Sequence, residues 1–374
     1  MRYEEPSLRQ SEHFHFRPGR WRLAVWLVLA SVSTPLTAED ISARYFGAAV
    51  QGDLTGAQAL LEAQADSRPE TTELAERFRK RFVHGTEATS AESEQMVVNE
   101  IVGAYQRYWT TALMGRASRR DAEDRLHAEL RSSLERQGAA AALMNDEETQ
   151  ATVGRILRAE GFGVQQGRTP PLLDLLVWRE EDRRDYAVNL TDGVQPVRVR
   201  FLSGFVVRGW LDFATFGHAS AGGWATDDGL YCLADRYDRN SETFLVSYLK
   251  HEARHFADYQ QFPGLPATDM EYRAKLTELI YADETLEALL EQFDASASDD
   301  PSASHPFAAF QIMRGLEASL LSSGSLPTDP LAVRWEARRQ LDWHTTALVE
   351  GGEAVVTRGV FASGVPGLVE EHRR

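Results

Sequence analysis

Five consecutive residues, His251-Glu252-Ala253-Arg254-His255, set two imidazoles four positions apart with a carboxylate beside the first. Residues four apart on a helix share one face, so both rings can reach a single metal ion. Glu252 then faces the open coordination position, where a carboxylate can take a proton from a water and pass it to a leaving group. The chemistry implied is that of a metal-dependent hydrolase, with His251 and His255 as ligands and Glu252 as general base. Such a pentapeptide arises by chance in roughly a few per cent of chains of this length, so its surroundings decide its weight.

The element that must carry the motif is legible. Ser241 to Phe262 contains no Pro or Gly, starts beside the capping-type residues Asn240 and Ser241, and stops at Pro263-Gly264, which predicts one helix. Helical periodicity gives it a solvated stripe of Ser247, Lys250, Arg254 and Gln261. The two His and Glu252 fall on ridges shared with Phe244, Tyr248, Leu245, Leu249, Phe256 and Tyr259, where apolar side chains are expected. A solvated charged face therefore fits poorly. A pair of core histidines beside a buried Glu is the remaining structural alternative, and an unpaired buried carboxylate is costly.

A zinc site of this type needs a third protein ligand and an open position. Gln261 stands six residues past His255 and Asp258 three past it, which departs from the metzincin pattern H-E-x-x-H-x-x-G-x-x-H. The following helix, from about Thr268-Asp269, carries Glu271-Tyr272-Arg273-Ala274 and then Glu278. Here the chain resembles the gluzincin branch of the zincin metallopeptidases, in which a Glu from a following helix completes the site. The resemblance spans roughly residues 185 to 291. It implies Zn²⁺ bound by His251, His255 and Glu271, with Ala274 as the small residue that lets the helices approach, and it keeps Glu278 as the alternative ligand. Thr268-x-x-Glu271 also reads as a capping box, a helix-start device without metal. Asp258, one turn past His255, suits either an outer hydrogen bond to an imidazole or an exposed acid.

Strand signals precede the motif at Asp185 to Leu190, Val197 to Phe201, Phe205 to Phe216 and about Leu230 to Ala234. Trp224 to Asp235 is the expected edge strand, which an extended peptide could join through main-chain hydrogen bonds. Residues 41 to about 160 are instead helical in pattern, and Gly161 to Pro171 is the expected hinge. Asp294 to Pro306 reads as a loop, with closing helices near Phe307 to Leu321 and Ala332 to Val349. The expected fold class is α+β. A zincin-like catalytic half, a small mixed sheet plus the motif helix and following helices, comes after an all-helical region. The corresponding boundaries are 1–38 for a signal peptide, 39–165 for the helical region and 166–374 for the metallohydrolase domain.

The leader is placed by Arg17, Arg20 and Arg22, the apolar run Leu23 to Val32, and Pro35-Leu36-Thr37-Ala38 ahead of Glu39-Asp40. This is an export layout, periplasmic or secreted. An uncleaved membrane anchor is the alternative, though the run is short of the roughly 20 residues a spanning helix needs, so stable membrane insertion is not expected after cleavage. The 374 residues carry a net charge of −16, an acidity that disfavours nucleic acid and anionic lipid as partners. Cys232 is the single Cys, which rules out an internal disulfide and a Cys-based zinc site. The expected partner is a peptide or protein substrate, and nothing in the pattern addresses oligomeric state. Tyr231, His218, Tyr272 and His305 are of the right type to donate to an oxyanion. An exported helical adaptor with a structural motif is the competing function.

Overall fold

The computed structural model describes residues 28–29, 41–63, 69–85, 93–139, 144–226, 229–320 and 329–351. Most of the expected signal peptide and the tail beyond residue 351 lie outside these residues.

The N-terminal half is helical, as its patterning demands: α1 Ile41–Val50, α2 Leu54–Glu62, α3 Pro69–Phe78 running on into a π-wound Arg79–His84, α4 Met96–Leu113, α5 Arg119–Arg136 and α6 Asp146–Ala159. The starts of α5 and α6 are capped by polar side chains. Asn145 accepts from the Glu148 amide while Glu148 accepts from the Asn145 amide, and Ser118 accepts from the Asp121 amide. The core of this half runs through Tyr45, Phe78, Phe82, Ile101 and Trp109, and continues into Leu175, Trp210 and Phe213 of the sheet-bearing half.

A six-stranded mixed sheet follows, in the order β1-β5-β6-β4-β3-β2. Its strands are β1 Val28–Leu29, β2 Gly163–Thr169, β3 Leu172–Leu190, β4 Gly193–Arg208, β5 Ala221–Thr226 and β6 Gly229–Leu233, with a short helix α7 Trp210–Ala214 between β4 and β5. Among the described strands only β4 and β6 pair in parallel. Three expectations are corrected. Gly161 to Pro171 is mostly strand β2 rather than a hinge, because its backbone pairs with β3 over Gly163 to Thr169. The strand expected over Phe205 to Phe216 ends at Arg208 and gives way to α7, the chain turning at Gly209 with φ of 91°. The expected edge strand is two strands. β6 is interior, and β5 carries the two-residue β1 on its outer side.

Alternation divides the sheet into two faces. Val197, Val199, Phe201, Leu230 and Cys232 pack against Phe244, Tyr248 and Ala253 of the motif helix, while Trp178, Leu202, Trp224 and Leu233 form a separate cluster. Cys232 is a buried free thiol, as expected.

The motif helix begins with π winding over Thr243–Lys250 and becomes regular as α8, His251–Gln261. The wide turns thus end at the first His, a placement often found beside functional residues. Then come α9 Ala267–Tyr281, α10 Leu286–Ser296, α11 Ser304–Leu320 and α12 Pro330–Gly351. Helix α9 is central, packed by α8, α11 and α12. All residues from Thr268 to Leu279 are buried. No helix among the described residues is long and apolar enough to cross a membrane.

Candidate metal centre

Regular α winding across His251 to His255 puts both imidazoles on the face turned to α9, their rings 4.7 Å apart and nearly perpendicular. Their Nε2 atoms face each other at 3.1 Å. Glu271, in the second turn of α9, directs its carboxylate at both, with Oε1 3.4 Å from His255 Nε2 and Oε2 3.6 Å from His251 Nε2. Ala274 is fully buried one turn along the same helix. Glu278, two turns past Glu271, accepts from His251 Nδ1 at 2.7 Å. That contact fixes the tautomer, because a carboxylate takes the hydrogen on Nδ1 and leaves the Nε2 lone pair aimed into the triad.

Two imidazole nitrogens and a carboxylate converging at these distances make a good cage for a cation. A tetrahedral ion with ligands at about 2.0–2.2 Å needs donor atoms about 3.3–3.6 Å apart, and the triad spans 3.1 to 3.6 Å. Both Glu271 oxygens and both Glu252 oxygens are buried without an aligned hydrogen-bond donor. Buried acceptors are rarely left this way, and a divalent cation would satisfy those of Glu271. A His251, His255, Glu271 cluster suited to a divalent metal is therefore present. The triad matches a gluzincin-type zincin active site.

Protonation follows from the same packing. Burial lowers the proton affinity of His251 despite Glu278, favouring the neutral ring that ligates. At His255 burial acts in the same sense, but Glu271 outweighs it and the net direction is upward. Burial also works against ionised Glu271, yet the imidazoles of His305 and His255 hold its carboxyl well below the ordinary range. Burial pushes Glu252 up to about 8, opposed by His255 and reinforced by the Glu271 and Glu278 carboxylates. Glu252 touches none of these groups as a ligand would, which matches the zincin arrangement of a metal-activated water served by a glutamate base.

Of the four oxyanion candidates, His305 alone reaches the centre. It opens α11 and brings Nδ1 to 2.9 Å from Glu271 Oε2, and it is 35 % exposed where the triad is buried. Tyr231 stacks on Trp224 on the other sheet face, His218 stacks on Phe46 of the helical half, and Tyr272 donates to Gln340 of α12 at 2.8 Å. The capping-box reading of Glu271 is overturned. The N-cap of α9 is Pro266, with no side-chain cap bond, and Thr268 lies inside the helix.

Two further expectations fail together. Arg254 is buried rather than part of a solvated stripe, and Asp258 neither serves an imidazole nor faces solvent. Arg254 reaches Asp192 at the tip of the β3–β4 hairpin (2.8 Å) and Asp258 (3.1 Å), while Arg273 of α9 donates Nε to Asp258 at 2.9 Å. Arg273 also bonds Thr345 of α12, and His344 of α12 contacts Asp269. This buried lattice ties the motif helix to α9 and α12. Apart from Arg254–Asp258, one turn apart on the motif helix, the partners lie on different elements, so no single segment shows it. Comparison with known proteins finds no matching family model, no matching curated protein and no matching solved structure.

Proposed function

We propose that the chain is an exported zinc-dependent peptidase in which His251, His255 and Glu271 hold Zn²⁺ and Glu252 is the general base. The observation that carries this reading is the buried convergence of two imidazole nitrogens and the Glu271 carboxylate beside a second carboxylate, Glu252, that has no hydrogen-bond donor. When bound, the metal supplies Lewis-acid polarisation of a scissile carbonyl and acidifies a water. Glu252 accepts the proton of the attacking water and delivers it to the leaving amine. Glu278 holds His251 in its ligating tautomer, and His305 steadies the outer oxygen of Glu271.

Support for a peptide substrate comes from β5. Its outer side already pairs antiparallel with an extended segment, Val28–Leu29 against Gly223 and Ala221. The strand lies against the motif helix at Gly223, where a Cβ would come within 2.6 Å of the Tyr248 ring, while Tyr248 donates to the Tyr231 carbonyl at 2.8 Å. Export is supported by the Arg-rich, apolar and small-residue order of residues 17 to 38.

The test is elemental analysis joined to turnover of unfolded casein. Wild-type chain should hold about one zinc, His251→Ala should lose it, and Glu252→Gln should keep it while hydrolysis falls by at least about 100-fold. Wild-type protein that stays metal-free when offered zinc removes the site. Full turnover by Glu252→Gln removes its role.

A further inference from the structure

The π-wound Arg79–His84, α4 and α5 enclose a cleft of about 570 Å³ in the helical half. That volume is typical of small-molecule sites. Its charge runs against that of the molecule. The chain carries −16, yet Arg81, Arg107, Arg116, Arg125 and His84 line the cleft, with Glu129 as the one carboxylate among the described lining residues.

The guanidinium groups are held in place. Arg116 donates to the Phe82 carbonyl, and Arg81 donates Nη1 to the Phe213 carbonyl at 2.6 Å while lying 4.2 Å from the centre of the Phe216 ring. A carbonyl acceptor fixes the direction of a guanidinium without neutralising it, and a stacked ring removes its freedom to fold away. Arg107 is paired with Glu129 at 2.8 Å, whereas no ion pair links Arg125 to another described residue. Gln106 adds a buried Nε2 donor with no hydrogen-bond partner. Behind these groups Phe82, Ala104, Leu126 and Phe213 are buried core that fixes the cleft's shape. Fixed positive charge and an unanswered buried donor describe one ligand chemistry.

We propose that this cleft binds a small organic anion through its carboxylate or phosphate group. That group is met by Arg116, Arg125 and Gln106. The cleft is built almost wholly by the helical half and takes no residue from the metal centre, so it is a second site.

Calorimetric titration of the full chain with phenyl phosphate, benzoate and neutral benzyl alcohol tests this, at low salt and at 0.5 M salt. Binding of either anion, weakened by salt, with none of the alcohol, is the expected result. Phenyl phosphate alone would assign a phosphoryl group and benzoate alone a carboxylate. Arg125→Gln alters an exposed side chain, so melting should be unchanged while anion affinity falls at least about tenfold, the scale of one charged hydrogen bond. Arg116→Gln should weaken binding further. Absence of heat with both anions, alcohol binding as tightly as the anions, or undiminished affinity in Arg125→Gln would overturn the proposal.

Discussion

Glu271 and Glu278 lie on one face of α9 and both approach His251, yet their contacts differ in kind, and substitution separates them. Glu278 bonds the far side of the ring, Nδ1 at 2.7 Å, whereas Glu271 faces both Nε2 atoms. Glu278→Gln preserves shape and an acceptor oxygen but removes the charge. A hydrogen bond to a charged group contributes about 1.5–3 kcal/mol and a neutral one about 0.5–1.5, so about 1–1.5 kcal/mol is lost from the orientation of His251. That corresponds to about tenfold in zinc affinity, at the lower end of the 10- to 100-fold range for groups that support a ligand from outside. Glu271→Gln removes the only anion among the three ligands and should weaken zinc by more than about 100-fold, beyond what an outer contact can cause. Competition against a chromophoric zinc chelator at pH 7.5 measures both, and far-ultraviolet circular dichroism checks that α9 is retained. Wild-type affinity in Glu278→Gln would refute the tautomer argument. A larger loss in Glu278→Gln than in Glu271→Gln would reverse the two roles.

Two further outcomes probe the scaffold. Asp258→Ala leaves Arg273 Nε and Arg254 buried without their shared carboxylate, which should cost about 3–5 kcal/mol in urea unfolding, and a loss under about 1 kcal/mol would show that the lattice is not holding α8 to α9. Asp174 in β3 accepts from the Trp210 and Leu175 amides, and burial raises its carboxyl from 3.8 to about 6. The unfolded chain therefore binds fewer protons than the folded one between these values, and stability from this group is present below about pH 4 and lost as pH rises through about 6. Asp174→Asn keeps an acceptor and cannot ionise. Its stability relative to wild type should improve by about 2–3 kcal/mol from pH 4 to pH 7. A difference that stays constant across that range would show that Asp174 titrates normally.

The motif chemistry was legible along the chain because it is local. The four-residue spacing of His251 and His255, the stop at Pro263-Gly264 and the apolar ridge through Phe244 and Tyr248 depend on one helix alone, and helical period makes them readable. The helical character of residues 41 to 160 was readable for the same reason. Helix α9 was expected from about Thr268-Asp269, but its burial on every side was not, since its polar and apolar residues are spread all round. Only packing by α8, α11 and α12 buries every side, so Asp269, Glu271, Arg273 and Glu278 each require a partner contributed by another element. The same holds for Arg254, which periodicity assigns to solvent and the hairpin tip at Asp192 covers. His305 entered the centre because α11 docks its first turn on Glu271, 34 positions away in sequence. Spacing along a helix determined which residues could bind a metal. Long-range packing decided which carboxylate faces it, which one orients the imidazole behind it, and what holds the two helices together, because burial makes a charged side chain depend on whatever the fold brings against it.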